Sequence, residues 1–223
     1  KVDLTEIPYT IPGNEFTRNP FVLPMIVLEN ETVLEFNFVV LHLKAFHSPS
    51  DVERRRQEIA GLKAYIDNEL NNGGQENWIV VGDYNDELDD PEASNVFLPL
   101  LEDDNYEFLT LPLAGDDYHA SYPGWPSMID HIMVTSALLD EYGEGGEVET
   151  LRLDDEYSLY FTNVSDHRPV AAYFPALGAS VGNSDTFSMP SEIQMNVWPV
   201  PGNAMVSIDY SLPARSGQMM VYD

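Results

Sequence analysis

The sequence predicts an α/β fold, because its first half contains a strand, a long amphipathic helix and a second strand in succession. Residues 33–41, VLEFNFVVL, alternate apolar and polar side chains and then become fully apolar, which is typical of a strand. Residues 78–81, WIVV, form a short apolar run that is typical of a buried strand. A strand–helix–strand succession favours a sheet with helices packed on it.

The segment between these strands, residues 48–74, has the spacing and the end signals of a helix. Ser50 is placed to cap its start, Asp51 and Glu53 suit the positive end of the helix dipole, and Gly73 is placed to end it. Apolar residues recur at near-helical intervals and predict one buried face. They are Val52, Ile59, Leu62, Ile66 and Leu70.

Two further strands and a change of composition divide the rest of the chain. SMIDHIMVT, residues 127–135, and VAAYF, residues 170–174, are predicted as a third and a fourth strand. A run without periodicity, rich in Ala, Gly, Ser and Asn, predicts a linker at 176–190. The chain therefore reads as an α/β domain over 1–175, this linker, and a partial all-β unit over 191–223 that is too short for a complete sandwich.

The charge balance restricts the partners that this chain can attract. Its 223 residues include 10 Lys and Arg against 38 Asp and Glu, which gives a net charge of −28. Such a surface weakens non-specific binding of nucleic acid, although a bound cation can still dominate the field at one site. No run approaches the ~20 apolar residues of a membrane span. The absence of cysteine excludes disulfides and thiolate metal sites.

Side chains that can carry chemistry cluster where the predicted strands begin and end. Each of them alone has an ordinary explanation, such as a turn or a helix cap, and the lone histidines His47, His119 and His131 are expected to be ordinary surface or core residues. The coincidence at four strands favours a functional site. The residues concerned are His42, Asp83, Asn85, Asp130, Asp166 and His167.

These residue types point to one class of reaction. Asp and Asn oxygens are hard ligands, suited to Mg²⁺, Mn²⁺ or Ca²⁺. A histidine paired with a carboxylate can accept a proton from water or, when protonated, stabilise developing negative charge. An Asn amide can donate to a phosphoryl oxygen. Together they predict metal-assisted hydrolysis of a phosphate ester, and no GxSxG, HExxH or Walker motif competes with it.

The order of the motifs resembles that of the endonuclease/exonuclease/phosphatase superfamily, the DNase I-like fold. The matching stretches are TRNP, VVLHLKA, IVVGDYND, MIDHIMV and VSDHRPV, and they extend over about residues 15–175. The resemblance implies that the α/β domain is part of a four-layer α/β sandwich. It also implies that GDxN, a late Asp and SDH line one pocket.

The resemblance implies a role for each residue of that pocket. His42 would be the first catalytic histidine, acting on the scissile phosphate, and Asp83 would help to activate the attacking water or hold metal. Asn85 would orient the phosphoryl oxygens. Asp130 would orient His167, the second histidine, which would contact the phosphate directly.

The resemblance also implies a metal ion and a phosphate-binding arginine. Arg18, in TRNP, matches an arginine that contacts substrate phosphate, and Asp166 would join Asp83 as a ligand of Mg²⁺, or of Mn²⁺ or Ca²⁺. The family's principal metal-binding glutamate and the acid that partners its first histidine have no counterpart here. We therefore expect the chain to begin within a domain and to have little or no turnover by itself.

The tail has a resemblance of its own. NVWPVPGNAMVSIDYSLPARSGQMMVYD, residues 196–223, is similar to the carboxy-terminal sorting domain of type IX secretion, with WPVP where a YPNP-like sequence is usual. The likeness implies export to the exterior or the surface of a bacterial cell.

The first functional prediction is therefore a secreted, divalent-metal-dependent nuclease, whose partner is nucleic acid or another phosphate ester. A phosphatase or a lipid phosphodiesterase of the same superfamily is the alternative enzyme. A non-catalytic calcium-binding surface module is the alternative outside enzymes, although the acidic runs DELDDPE and LEDDNYE lack EF-hand spacing. Tyr118, Tyr122 and Trp125, in a loop rich in proline, could stack on a base. The oligomeric state is left open.

Overall fold

A computed structural model describes residues 2–29, 32–143 and 145–175, and the backbone of three strands between 194 and 222. The strands and helices are β1 Val2–Leu4, β2 Tyr9–Thr10, β3 Phe21–Glu29, β4 Thr32–His42, α1 Pro49–Asn71, β5 Trp78–Asp83, α2 Leu98–Leu101, β6 Tyr106–Phe108, β7 Asp130–Thr135, α3 Leu139–Tyr142, β8 Glu147–Thr150, α4 Leu153–Glu156, α5 Tyr160–Asn163, β9 Val170–Tyr173, β10 Gln194–Pro199, β11 Met205–Leu212 and β12 Arg215–Tyr222. None of the helices in the described part is long and apolar enough to span a membrane.

The main sheet confirms the α/β class. Its strand order is β1-β3-β4-β5-β7-β6, with β2 also paired to β3. The pair β4–β5 is parallel and connected through α1, whereas the other pairs are antiparallel. The four-layer sandwich stays a prediction.

The predicted fourth strand is present, but it lies outside the main sheet. β9 pairs with β8 in a separate two-stranded sheet. The sequence pattern showed a strand and could not show its partner, because pairing is decided by residues elsewhere in the chain. β3 was not predicted at all, since Pro24 in its middle is unusual for a strand inside a sheet.

The N-cap of the long helix α1 lies two residues before the predicted cap. Ser48, not Ser50, is the N-cap, and Ser50 lies within the first turn. The Ser48 hydroxyl accepts the N–H of Asp51, and the Asp51 carboxylate accepts the N–H of Ser48, so the two residues form a capping box. Pro49 at the first helical position needs no N–H partner, which favours this start.

Two apolar layers lie on the two faces of the main sheet, because side chains alternate along each strand. The layer under α1 includes Ile59, Leu62 and Ile66, as predicted. Val52 and Leu70, the other predicted members, are only partly buried against it. The second layer joins the sheet to β8 and β9, and its members include Leu34, Phe36, Ile132, Val134, Val148, Val170 and Ala172.

The tail contains three antiparallel strands in the order β10-β11-β12. The predicted linker at 176–190 lies outside the described residues. The sorting-domain assignment and the proposed division into domains stay predictions.

His131 is a core histidine, as expected. Its ring is buried against Tyr84, Phe97 and Phe108, and its two nitrogens lie 3.1 Å from the Thr110 hydroxyl and 3.0 Å from the carbonyl oxygen of Asp86. Burial lowers its pKa from 6.5 to about 4, even though the nearby carboxylates oppose the shift. The folded protein therefore holds this imidazole neutral in mildly acidic solution.

This burial predicts a loss of stability in acid. The unfolded chain binds a proton at His131 near pH 6.5, whereas the folded chain does so only near pH 4. The contribution of His131 is therefore complete above pH 6.5 and falls by up to about 1.4 kcal/mol per pH unit between these values. Imidazole NMR signals recorded between pH 4 and pH 8 should show His131 unprotonated at pH 5. Titration of His131 with a midpoint near 6.5 would contradict this assignment.

Candidate active site

Three predicted site residues lie in one row across neighbouring strands. His42, the last residue of β4, is paired with Asp83, the last residue of β5. Asp83 is paired in turn with Asp130, the first residue of β7. Residues opposite one another in adjacent strands have Cβ atoms about 5 Å apart. The sheet therefore presents an imidazole and two carboxylates side by side at one edge.

Asp130 and His167 form a hydrogen-bonded pair. The Asp130 carboxylate lies 2.7 Å from Nδ1 of His167 and accepts a hydrogen bond from its N–H. Nε2 of the imidazole is therefore left for a substrate. Burial alone would lower the pKa of His167, but the hydrogen bond and the charges of Asp130, Asp83 and Asp166 raise it overall. Tyr122 packs its ring 5.0 Å from the imidazole. The pair is thus held in one orientation, a quarter exposed to solvent.

Asp83 is the more deeply placed of the two strand-end carboxylates. Burial, with the repulsion of Asp130, raises its pKa, although a hydrogen bond and the two nearby histidines oppose the shift. Nε2 of His42 lies 3.6 Å from a carboxylate oxygen of Asp83, and its side chain is 48% exposed. His42 is therefore available to solvent and to a substrate.

The backbone conformation of GDYND explains why it has Gly82 and Asn85 at two of its positions. Gly82 has a φ of +142°, and a Cβ there would collide with the backbone carbonyl oxygen of Leu41, so only glycine fits this position. Asn85 has a φ of 55°, which Asn tolerates better than most residues. Its N–H donates to the Asp83 carboxylate at 2.8 Å, and its side-chain amide donates to the Leu43 carbonyl oxygen at 3.2 Å. Asn85 thereby orients Asp83.

Arg55 joins the loop that follows β5 to the segment that follows β4. The sequence analysis did not identify this residue. It is fully buried on α1, and its Nε donates to Asp86 at 2.9 Å. Its Nη1 donates to the carbonyl oxygens of Lys44 and Phe46, which follow His42. One guanidinium therefore joins the end of GDYND to the segment that leaves β4.

Glu58, one helical turn further along α1, was missed as well. It is fully buried, and its carboxylate accepts the backbone N–H of Thr17 at 2.7 Å and that of Lys44 at 2.8 Å. Thr17 precedes Arg18, so Glu58 holds the Arg18 loop beside the segment that follows His42. Two polar residues on an otherwise apolar helix face were the sequence signal that could have revealed these anchors.

Arg18 is the cation best placed to receive an anion. Among the Lys and Arg side chains that the structure describes, Arg18 alone makes neither a hydrogen bond nor an ion pair, and it is exposed. Arg54 donates to backbone carbonyl oxygens. Six others are ion-paired with carboxylates: Lys44, Arg55, Arg56, Lys63, Arg152 and Arg168.

The expected metal site is incomplete in the described part of the chain. There, no three side chains of His, Asp or Glu form a group that could hold a metal ion. Asp166 is exposed, and its charge contributes to the raised pKa of His167. The described residues do not by themselves fit the divalent cation, and metal binding by Asp83 and Asp166 stays a prediction.

Comparison with known sequences decides the family. The Endonuclease/Exonuclease/phosphatase family matches residues 5–167, most of the chain. The chain belongs to this family. Its members are typically hydrolases of phosphoester bonds, and they commonly use divalent metals. No curated protein matches the chain.

Solved structures of other proteins resemble the chain remotely. The human nocturnin catalytic domain, solved with bound sulfate, has 17% identity and a TM-score of 0.47, over 77% of this chain and 60% of that domain. A mannosyl-6-phosphatase of Bacteroides thetaiotaomicron has 15% identity and a TM-score of 0.46, over 78% of this chain and 68% of that protein. The D. rerio TDP2 complexed with a single-strand DNA product has 15% identity and a TM-score of 0.42, over 76% of this chain and 66% of that protein. The chain thus spans about three fifths to two thirds of their lengths.

Removal of Glu58 should destabilise the site edge. Glu58→Ala leaves the N–H groups of Thr17 and Lys44 without their acceptor, at a cost of about 1–3 kcal/mol for each group that water cannot reach. Urea denaturation measures the loss. Glu53→Ala, an exposed change on the same helix, is the matched control and should cost less than about 0.5 kcal/mol. Equal stability of the two variants would show that Glu58 is not an anchor.

Proposed function

We propose that this chain supplies the catalytic groups of a phosphate-ester hydrolase. The observation that carries the proposal is the row of His42, Asp83 and Asp130, extended by the hydrogen bond from His167 to Asp130. Family membership supports the same class of reaction. A carboxylate-oriented imidazole beside a half-buried carboxylate is an arrangement suited to moving a proton and to neutralising a phosphoryl group.

Each residue has a role that its contacts support. His167, held by Asp130, directs Nε2 at a phosphoryl oxygen and stabilises its charge when protonated. Asp83 accepts the proton of the attacking water, the bond from phosphorus to the alcohol oxygen breaks, and that oxygen takes a proton from solvent. His42, exposed beside Asp83, contacts the phosphate from the other side. Asn85 keeps Asp83 in place through its backbone N–H. No step of this scheme passes through a metal ion.

The distribution of charge bears on the choice of substrate. A nuclease remains the first candidate from sequence. Binding to a nucleic acid strand, however, draws most of its strength from several Lys and Arg contacts to phosphates. In the described part of this chain, six cations are already paired with its own carboxylates and Arg54 is bound to backbone carbonyl oxygens, so Arg18 is the exposed cation that remains. This favours a second candidate, hydrolysis of a small phosphate ester.

A paired assay separates the two candidates. Supercoiled DNA and a phosphomonoester are incubated with the product of the complete gene, once with Mg²⁺, Mn²⁺ or Ca²⁺ and once with a chelator. Nicking supports a nuclease, and phosphate release without nicking supports a phosphatase. Loss of activity with the chelator supports the proposed metal dependence. Silence on both substrates under every condition would remove the nuclease and the phosphatase and would leave a lipid phosphodiesterase or a non-catalytic module.

Variants tie any activity to this site. Asp83→Ala with His167→Ala removes a proton acceptor and a charge-stabilising group, and should lower kcat by about 10³-fold or more. Asp130→Asn keeps the shape but removes the carboxylate that orients His167, and should lower kcat by about 10²-fold or more. His47→Ala, at an exposed histidine with no place in the scheme, is the matched control. Full activity of the double variant would place the chemistry elsewhere.

Arg18 should act mainly in phosphate binding. Arg18→Ala removes an exposed cation that makes no hydrogen bond or ion pair with the described residues, so we expect a rise in KM of about tenfold with stability unchanged. Steady-state kinetics at low salt measure the effect. Arg56→Ala, an ion-paired surface arginine, is the control and should leave KM unchanged. If both variants behave alike, Arg18 does not bind the phosphate.

Export is a separate proposal that rests on the resemblance of residues 196–223 to a secretion signal. Location of the native protein in the culture medium or at the cell surface supports it, and confinement to the cytoplasm removes it.

A further inference from the structure

A short loop next to the candidate site carries a solvent-exposed tryptophan. Tyr122 and Ser127 form an antiparallel bridge, in which the Tyr122 N–H donates to the Ser127 carbonyl oxygen at 3.0 Å. The four residues between them, Pro-Gly-Trp-Pro, make a turn, and Trp125 within it is 77% exposed. Two prolines in this turn restrict the backbone, so little conformational entropy remains to be lost on binding.

The base of this loop is fixed to the catalytic pair. The Ser121 hydroxyl accepts the N–H groups of Ile129 and Asp130 at 3.1 and 3.0 Å. The Ser121 carbonyl oxygen accepts the N–H of Arg168, the residue after His167, at 2.6 Å. The loop therefore keeps a constant position relative to the groups that would hold the phosphate.

Tyr122 lies between the pair of His167 and Asp130 and the turn that carries Trp125. One side of its ring faces the imidazole of His167, with ring centres 5.0 Å apart. The turn follows Tyr122 directly in the chain, and Trp125 is three residues beyond it. Trp125 is thus connected through Tyr122 and Ser121 to the pair of His167 and Asp130.

Trp125 is also free to bind, unlike its aromatic neighbour. Tyr118 has the guanidinium of Arg152 over its ring, 4.6 Å from the ring centre. Within the described residues, Trp125 has no hydrogen bond, ring contact or cation contact. A large apolar surface held open beside a polar site is a place where a ligand ring can bind.

We propose that Trp125 packs against the face of a ring in the substrate's alcohol portion, a planar nucleobase or a sugar, while His167 and Arg18 receive the phosphate. This assignment rests on the proposed phosphate-ester hydrolysis and names its substrate class. Stacking needs no basic surface, which suits a chain with a net charge of −28. Trp125 then determines specificity and takes no part in the chemical step.

Three esters and three variants test the assignment on the product of the complete gene. The esters are adenosine 5′-monophosphate, glucose 6-phosphate and glycerol 3-phosphate, which has no ring. Trp125→Ala should lower kcat/KM about tenfold for a ring-bearing ester and leave glycerol 3-phosphate unchanged. Trp125→Phe should retain most of the activity. Tyr118→Ala, at the neighbouring exposed aromatic residue, is the matched control and should change nothing.

The pattern of losses identifies the ring. A loss with the nucleotide alone assigns a nucleobase, a loss with the hexose phosphate alone assigns a sugar, and a loss with both assigns a site that accepts either ring. An equal loss with glycerol 3-phosphate, or no loss with any ester, overturns the proposal, because Trp125 would then be a structural or an unused residue.

A binding measurement keeps this test separate from the proposed reaction. If the wild-type protein hydrolyses none of the three esters, isothermal titration with adenosine 5′-monophosphate and glucose 6-phosphate decides the question. Binding that weakens about tenfold in Trp125→Ala supports the ring site even though the hydrolase proposal fails. Equal affinity of the wild-type and variant proteins, or no binding to either, overturns it.

Discussion

The register of three strands is the constraint on which the candidate site depends. His42, Asp83 and Asp130 are neighbours only because β4, β5 and β7 pair in one particular alignment. A slip of one residue would turn a side chain to the opposite face of the sheet and bury a charge in an apolar layer. The two core layers therefore specify the site as well as the fold. Stability and function are coupled through the same apolar side chains.

Buried charge extends this order from the strands to the loops. Arg55 and Glu58 lie at 0% exposure on α1, and both form hydrogen bonds with the segments around the strand ends. An ion pair such as Arg55–Asp86 gains little net stability, because both groups lose their hydration. Its effect is geometric, since removal of either partner would leave the other charge buried and unpaired. Helix α1 thereby fixes the position of the loops around the strand ends, which the sheet alone would not fix.

The sequence indicated the α/β class and the strand-end positions of the candidate residues, but not the scaffold that holds them. His42, Asp83 and Asp130 lie side by side because the ends of adjacent strands meet at one sheet edge, and their role in a reaction stays a prediction. Patterns failed where distant residues decide the outcome. Pro24 concealed β3, and the partner of the strand at 170–174 could not be read from its own residues. Arg55 and Glu58 received no prediction, because the groups that they bind lie in segments distant from them in sequence.

The pairing of cations gives the site an unusual electrostatic setting. A strongly acidic surface repels a phosphate at long range, so association gains nothing from steering. Affinity then has to arise at short range, from few groups that are already in place when the ligand arrives. Imidazoles, an exposed arginine and an aromatic ring on a rigid loop are such groups, and none of them needs a basic field around it. A compact ester that combines one phosphate with one ring can use all of them at once, whereas a long polyanion would carry each additional phosphate past more carboxylates.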